Sequence, residues 1–422
     1  MKRRIVAAAL LLGIACLLGG CKSSDYKEAG RLLDEGDYGA ARVIYQDLES
    51  RGGYKDVADK IRECDYMDAD VAVTNMDYGR AYDLFSALGE FKDAPERTVE
   101  VGYILANQFA ANENYGEAVK LFASFGDYKN SIALKTECVS RLLNNASVGD
   151  IVYFGTYEQD GNAENGAEPI SWIVLGKTDD HCLLLSEYII EKMRYGEREY
   201  SHFWKTSSAR AWLNDEFCQG AFSADENNMI QNMITSDETE DRLFLLSAEE
   251  ARGLFPSDDQ RIAFITEYMD SQDFEGIYGY EGQGAWWTRS VSTASNGKGV
   301  VIVTVGGSVR STGCAPNVPN QYSSQDVGMR PALCISLSGE TTAEAQNMSL
   351  FGVDSNRDLD NEPNKWRGGS SGGYSNSGGK CAICNGTGYV RYYYGSSDLE
   401  AWLSGHDAYT VGQCTSCGGT GK

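Results

Sequence analysis

The chain has 422 residues and a formal net charge of −24, with 42% hydrophobic and 11% aromatic residues. This apolar content can form folded cores, which excludes a wholly disordered chain, and the length predicts about three domains. The negative charge argues against nucleic-acid binding, because a protein that neutralises phosphates needs a basic surface.

The first 20 residues predict a bacterial lipoprotein signal peptide. Residues 2–4 are basic, and residues 5–18 form an apolar segment too short to span a bilayer. The segment ends in Leu-Gly-Gly-Cys at 18–21, which resembles a lipobox. That resemblance implies that a lipid on Cys21 anchors the mature chain to the cell membrane, on its extracytoplasmic face. The alternative is an ordinary secretory signal that happens to precede a cysteine.

Residues 21–147 predict helical repeats. A Tyr-Gly-x-Ala block begins at 38, 78 and 115, and apolar residues follow it at helical spacing. A second aromatic-Lys-Asp/Asn block begins at 54, 91 and 128, and turns are expected near 36–37, 76–77 and 114. The pattern resembles tetratricopeptide-like repeats of paired antiparallel helices. Such repeats act either as a surface that binds a protein or peptide, or as a spacer.

Residues 148–337 change to extended patterns and predict an α+β domain. The predicted elements are strands at 169–175, 182–185, 242–247 and 300–305, a helical stretch from 208, a short helix at 248–254, and a final extended segment at 328–335.

Several blocks of this domain resemble a domain of unknown function that is common in secreted and lipid-anchored proteins of anaerobic Gram-positive bacteria. The blocks are Val-Gly-Asp at 148–150, Trp-Ile-Val-Leu at 172–175, Arg-x-Trp-Leu-Asn at 210–214, Trp-Trp-x-Arg-Ser at 286–290 and Arg-Pro-Ala-Leu at 330–333. The ending is also similar to C-type-lectin-like and sulfatase-modifying-factor domains. The closely spaced redox cysteines that the latter enzymes need are not evident in the sequence.

Four residues of these blocks are candidate ligand contacts: Trp286, Trp287, Arg289 and Arg330. Tryptophan rings and guanidinium groups can stack against a sugar or a peptide. The alternative is that all four pack in the core, with the arginines tied to buried carboxylates. No catalytic constellation is recognisable, which favours a binding function. An enzyme that acts on cell-wall or host polymers remains the competing hypothesis.

Residues 338–380 predict a Gly/Ser-rich acidic linker, and residues 381–422 predict a zinc-binding hairpin. C-x-x-C-x-G-x-G occurs twice, with cysteines at Cys381, Cys384, Cys414 and Cys417, and an expected strand at 389–394 lies between the pairs. Four thiolates in two such knuckles form the closed tetrahedral shell of one structural zinc ion. The pattern resembles the cysteine-rich region of DnaJ-type chaperones. Two disulfides, or a thiol oxidoreductase, are the alternatives.

The sequence therefore predicts a multidomain chain: an all-α repeat, an α+β domain that resembles C-type-lectin-like domains, a flexible linker and a small zinc hairpin. We expect a lipid-anchored, cell-surface binding protein whose partners are the membrane and a protein, peptide or glycan ligand, and not nucleic acid.

Overall fold

The computed structural model describes residues 21–196, 203–236, 239–271, 282–292, 299–310, 327–338, 341, 344–353, 389–393 and 409–413. Within these ranges, a helical region over residues 22–145 is followed by a curled antiparallel sheet domain. The chain divides into two compact units between Gln108 and Phe109. None of the helices in the described ranges combines the length and the apolar character needed to cross a membrane.

Seven helices confirm the helical prediction for the N-terminal region. They are α1 Lys22–Asp34, α2 Tyr38–Ser50, α3 Val57–Thr74, α4 Tyr78–Leu88, α5 Ala94–Ala111, α6 Tyr115–Ser124 and α7 Ser131–Asn145. The apolar stripe of α2 is buried at Ala41, Tyr45 and Leu48, and that of α4 is buried in the same way. The helical spacing of apolar residues therefore identified the faces that pack.

The predicted turns are present before α2, α4 and α6. Gly36, Met76 and Glu113 each adopt positive φ. The next residue in each case donates a backbone N–H to a carbonyl five positions earlier, at 2.9 Å, which closes the preceding helix. Asp37 and Asp77 then cap the following helices through their side chains.

The second repeated block closes the longer turns. In the first unit, Tyr66 of α3 donates a hydrogen bond to Asp93 at 2.5 Å, and Tyr26 of α1 bonds Asp56 in the same way. Lys92 adopts positive φ and places its ammonium 4.5 Å from the centroid of the Tyr66 ring. The block therefore joins a helix to the start of the second helix after it: α1 to α3 through Asp56, and α3 to α5 through Asp93.

The sheet domain contains strands at the predicted extended segments 169–175, 182–185, 300–305 and 328–335, together with further strands that the sequence did not predict. The strands are β1 Ile151–Tyr157, β2 Glu168–Lys177, β3 His181–Ser186, β4 Glu191–Met193, β5 Ile230–Gln231, β6 Met233–Ser236, β7 Thr239–Asp241, β8 Leu243–Phe244, β9 Ala263–Phe264, β10 Gln283–Gly284, β11 Trp286–Ser292, β12 Gly299–Val303, β13 Val309–Arg310, β14 Val327–Met329, β15 Ala332–Ser336 and β16 Gln346–Asn347. The strand expected over 242–247 is much shorter, because only β8 pairs with β15.

Two sheets form the centre of the domain. The first has the order β1-β2-β3-β15-β5, with β8 also paired to β15, and all of its pairs are antiparallel. The second has the order β13-β12-β11-β14-β4, in which β11 and β14 run parallel. Within the described ranges, β1 and β4 are therefore edge strands of the first and second sheets.

Short helices connect these strands. They are α8 Ser208–Trp212, α9 Cys218–Ala221, α10 Ala224–Met229, α11 Ala248–Leu254 and α12 Glu267–Ser271, together with a π-helical turn at Leu213–Phe217 and 3₁₀ turns at Trp204–Thr206, Asp259–Arg261 and Met348–Phe351. The helix predicted at 248–254 is confirmed. It begins with a capping box in which Ser247 and Glu250 satisfy each other's backbone N–H groups.

The last helical pair, α6 and α7, belongs to the same compact unit as the sheets. Lys177 at the end of β2 donates hydrogen bonds to three carbonyl oxygens at the C-terminus of α7, at 2.6–3.0 Å. Lys135 of α7 forms an ion pair with the buried Glu226 at 2.9 Å. A cation at a helix C-terminus satisfies carbonyl groups that have no partner within the helix, so Lys177 fixes α7 to the sheet.

The described part of the tail is a two-stranded ladder, β17 Tyr389–Tyr393 and β18 Tyr409–Gln413. A strand is therefore present where the sequence predicts one. Most of the predicted linker and the four cysteines of the predicted zinc site lie outside the described residues.

Candidate functional site

The four residues predicted as ligand contacts are all buried. Trp286 and Trp287 on β11 are 0% and 1% exposed, and Arg289 and Arg330 are 4% and 1% exposed. The structure brings them into one sheet region, because β11 pairs with β14 and Arg330 directly follows β14. Their polar atoms bond to the protein itself.

Arg289 is held by five acceptor contacts. Its guanidinium pairs with both oxygens of Glu250 and donates to the carbonyl oxygens of Thr235 at 2.7 Å and Leu245 at 2.6 Å. Its backbone N–H bonds Leu246 at 3.0 Å. A bidentate pair with added carbonyl acceptors is how a buried arginine is accommodated. Arg289 therefore ties β11 to α11.

Arg330 has no carboxylate in hydrogen-bond contact within the described ranges. It donates to the carbonyl oxygens of Ser186 at 2.9 Å, Arg261 at 3.2 Å and Glu187 at 3.2 Å, and it lies 5.3 Å from the centroid of the Trp286 ring. Burial lowers the pKa of the Arg330 guanidinium to about 9. The side chain acts as a cross-link between three loops.

The indole N–H groups distinguish one of the five tryptophans that the structure describes from the other four. Four of them donate hydrogen bonds at 2.7–3.1 Å. Trp172 donates to Phe154 O and Trp204 to Asp241 Oδ2, while Trp286 donates to Arg261 O and Trp287 to Met193 O. Trp212 is partly exposed, and its N–H has no acceptor in the part of the chain that the structure describes. A partly exposed indole with an unused donor is available to contact a ligand.

A π-helical turn positions Trp212. The turn spans Leu213–Phe217, and the rings of Trp212 and Phe217 stack with centroids 5.0 Å apart. Residues five apart lie about 140° apart around an α-helix, so they cannot stack there, whereas the i→i+5 register of a π-turn brings them together. Single π-turns of this kind occur frequently at functional sites.

Asn214 fixes this turn to β8. Its Nδ2 donates to Arg210 O at 3.1 Å and Leu243 O at 2.8 Å, and its Oδ1 accepts from the N–H groups of Arg242 at 3.0 Å and Leu243 at 3.2 Å. Arg210 itself pairs with Asp241 at 2.6 Å. In the Arg-x-Trp-Leu-Asn block, the other three named residues thus serve the fold, while Trp212 remains partly exposed.

Trp212 lies beside the end of the edge strand β1. Its ring meets the ring of Tyr157, at the end of β1, edge to face with centroids 6.5 Å apart. The Tyr157 hydroxyl donates to Glu191 on β4 at 2.9 Å. Burial and Glu191 raise the pKa of Tyr157, and Glu191 also raises the pKa of Tyr268 on α12. We refer to Tyr157, Glu191, Trp212 and Tyr268 as the aromatic–carboxylate surface.

Further negative charge lies close to this surface. Glu158, Asp160 and Glu168 have carboxylate oxygens within 4.8 Å of one another. Each of the three carboxylates accepts a hydrogen bond from a backbone N–H group in the segment between β1 and β2. Within the described ranges, these carboxylates and Glu191 form no ion pair with a lysine or arginine. The surface therefore combines aromatic rings with unneutralised negative charge.

A comparison with known protein families gives a partial match. Residues 179–337 match the domain of unknown function DUF6273. The DUF6273 segment contains Glu191, Trp212 and Tyr268 but begins after β1, so Tyr157 is contributed by the preceding residues. No curated protein and no solved structure matches the chain.

Sequence analysis did not single out Trp212, Tyr157 or Glu191. One signal was available for Trp212, which is followed three and four residues later by the exposed Asp215 and Glu216. Trp286, by contrast, stands in a strand whose flanking residues are buried. A tryptophan in a short polar helical segment is the better candidate for exposure than one in an apolar strand.

Proposed function

We propose that this chain is a modular binding protein, anchored by a lipid on Cys21 at the extracytoplasmic face of the cell membrane, and that the DUF6273 segment binds the ligand at the aromatic–carboxylate surface. The observation that carries the binding proposal is the contrast among the tryptophans. Four are buried with their N–H groups bonded, and Trp212 is partly exposed with its N–H unused.

The position of Cys21 supports the anchor. Cys21 is exposed with a free thiol, and α1 begins at the next residue. A lipid on this thiol would therefore not require any part of α1 to unfold. Metabolic labelling with a palmitate analogue tests the anchor: the wild-type chain should be labelled and membrane-bound, and Cys21→Ser should be neither.

The finer identities of the domains belong to the same proposal. The repeated Tyr-Gly-x-Ala blocks support a tetratricopeptide-like arrangement that spaces the sheet domain from the membrane or binds a protein or peptide. The order of aromatic-Arg block, hairpin and Gly-x-Arg strand supports a C-type-lectin-like assignment for the sheet domain.

A structural zinc ion in the tail is also proposed, on Cys381, Cys384, Cys414 and Cys417. The ladder register supports it, because Tyr389 pairs with Gln413. One C-x-x-C pair precedes Tyr389 in the sequence and the other directly follows Gln413. Both pairs thus continue the chain from the same end of the ladder, as a shared metal ion requires.

The binding proposal is tested with residues 22–422 and a panel of peptides and neutral oligosaccharides, measured by calorimetry. At least one probe class should bind, and Trp212→Ala should weaken that binding. The matched control is Phe203→Ala, which removes another aromatic side chain of the domain that is 50% exposed. If Trp212→Ala binds every probe as tightly as the wild type, or if Phe203→Ala weakens binding as much as Trp212→Ala does, the proposed site is wrong.

A further inference from the structure

We infer that the aromatic–carboxylate surface binds an organic cation, namely the ammonium or guanidinium group of a basic peptide. The inference rests on the proposed function and adds the chemical class of the ligand. It is carried by two features that occur together: aromatic rings arranged around a partly exposed indole, and carboxylates that have no cationic partner within the described ranges.

The aromatic rings form an ordered platform. Trp212 stacks on Phe217, and Tyr157 meets Trp212 and Phe217 edge to face, with centroids 6.5 and 5.2 Å apart. The Asn214 bonds described above hold the turn that carries these rings. A cation over such a ring is attracted by the quadrupole of the ring, and this attraction is stronger for tryptophan than for tyrosine or phenylalanine. Little ordering of side chains would be needed on binding.

The charge of Glu191 differs in its pairing from the charges of the fully buried carboxylates of this domain. Elsewhere its buried carboxylates have their own cations: Asp241 pairs with Arg210 at 2.6 Å, Glu226 with Lys135 at 2.9 Å, and Glu250 with Arg289. Glu191 is partly buried, and within the described residues its oxygens accept from the Tyr157 hydroxyl and the Lys192 N–H. An external cation would supply the charge partner that Glu191 lacks.

A neutral ligand does not account for this arrangement. A sugar could stack on Trp212, but it would leave the negative charge of Glu191 and Glu158 uncompensated. Tyr268 lies in the same excess of negative charge: Glu191, followed by burial and by Glu158, raises the pKa of the Tyr268 hydroxyl. A cation lowers the energy of all these groups at once, and the net charge of −24 would steer it towards the protein.

The ammonium or guanidinium group could belong to a free amine or to a peptide. Glu158 lies beside Tyr157 in the chain, and Glu216 lies close enough to raise its pKa. A peptide with several cationic side chains can reach more than one of these carboxylates, whereas a free amine reaches one. A basic peptide should therefore bind more tightly than a single amino-acid derivative with one cationic group.

The test is calorimetric titration of residues 22–422 with four probes: acetyl-tetralysine amide, acetyl-lysine amide, the Nε-acetylated tetralysine and chitotetraose. Tetralysine should bind more tightly than the monomer, and binding should weaken as sodium chloride rises. Glu191→Gln and Trp212→Ala should each weaken tetralysine binding about three- to tenfold. Glu240→Gln, an exposed carboxylate on β7, is the matched control and should bind like the wild type.

Thermal unfolding of each variant establishes that it folds. Glu191→Gln preserves an acceptor for the Tyr157 hydroxyl, so it tests charge even if Trp212→Ala is unstable. Equal binding of the acetylated and unmodified peptides, or no effect of Glu191→Gln, overturns the cation inference. Binding of chitotetraose alone, lost in Trp212→Ala, overturns it while the proposed function stands. Binding of no probe of either class overturns both.

Discussion

The indole ring of Trp212 stacks on the ring of Phe217 with 5.0 Å between centroids, although the two residues are five positions apart. This contact depends on the π-helical turn at Leu213–Phe217, which is held by the side chain of Asn214. A local backbone irregularity thus orients the aromatic group that is best placed to meet a ligand.

Asn214→Ala should destabilise the sheet domain by about 2–3 kcal/mol. The side chain makes four hydrogen bonds to backbone groups of Arg210, Arg242 and Leu243, and alanine leaves partly buried donors and acceptors unpaired. Urea unfolding measures the change. Asn144→Ala is the control: its exposed side chain makes one bond within α7, and a change within about 0.5 kcal/mol is expected. Equal effects of the two substitutions would contradict the proposed role of Asn214.

Glu250→Gln should cost about 3–5 kcal/mol of unfolding free energy. It removes the charge that compensates the buried Arg289, while glutamine can still accept the N–H of Ser247. Glu249→Gln, at the neighbouring and partly exposed position, should change stability by less than about 0.5 kcal/mol. Chemical denaturation of both variants checks this, and a loss below about 1 kcal/mol in Glu250→Gln would show that the ion pair does not hold β11 to α11.

The stability of the first unit should depend on pH because of Asp83. Burial, followed by the nearby Asp77, raises the pKa of Asp83 on α4 from its ordinary 3.8 to about 6. Between about pH 4 and 6 the native state therefore binds more protons than the unfolded state, so stability falls as pH rises through this window. At pH 7 Asp83→Asn should stabilise the chain by about 1 kcal/mol, a value reduced for the partial exposure of the group.

The stabilisation by Asp83→Asn should disappear near pH 4, where the wild-type carboxyl is also neutral in the folded state. Melting temperatures at pH 4 and pH 7 measure the difference. Asp59→Asn, whose side chain is 62% exposed, serves as the control. The same stabilisation at both pH values would contradict the assignment of the effect to ionisation.

Residues 22–422 purified from zinc-replete medium should contain about one zinc ion per chain. Chelation should release that ion and expose four additional reactive thiols. The double variant Cys384→Ser/Cys417→Ser should lose the metal, whereas Cys218→Ser, at a buried position in α9, should retain it. Metal analysis with thiol titration decides the matter: no zinc and two disulfides would favour the thiol oxidoreductase alternative.

Much of the secondary structure could be predicted from residue patterns. The helix at 248–254 has the predicted bounds, because its capping Ser247 and Glu250 are local signals. The grouping of α6 and α7 could not be predicted in this way. Their repeat pattern places them with the other helices, but the bonds from Lys177 to the end of α7 fix them to the sheet. A lysine at the end of a strand gives no sign in sequence of which helix it will cap.

The sequence by itself determined the helical character of residues 22–145 and the positions of several strands of the sheet domain, among them β2, β3 and β12. Only the tertiary structure decided which tryptophans are buried. Periodicity shows which side chains share a face, but whether that face is covered depends on distant elements. Thus α11 covers Arg289, whereas in the part of the chain that the structure describes the ring of Trp212 contacts Tyr157 at the end of β1 and Phe217 in its own turn. The candidate site follows from that difference in coverage, which arises from packing between segments far apart in the chain.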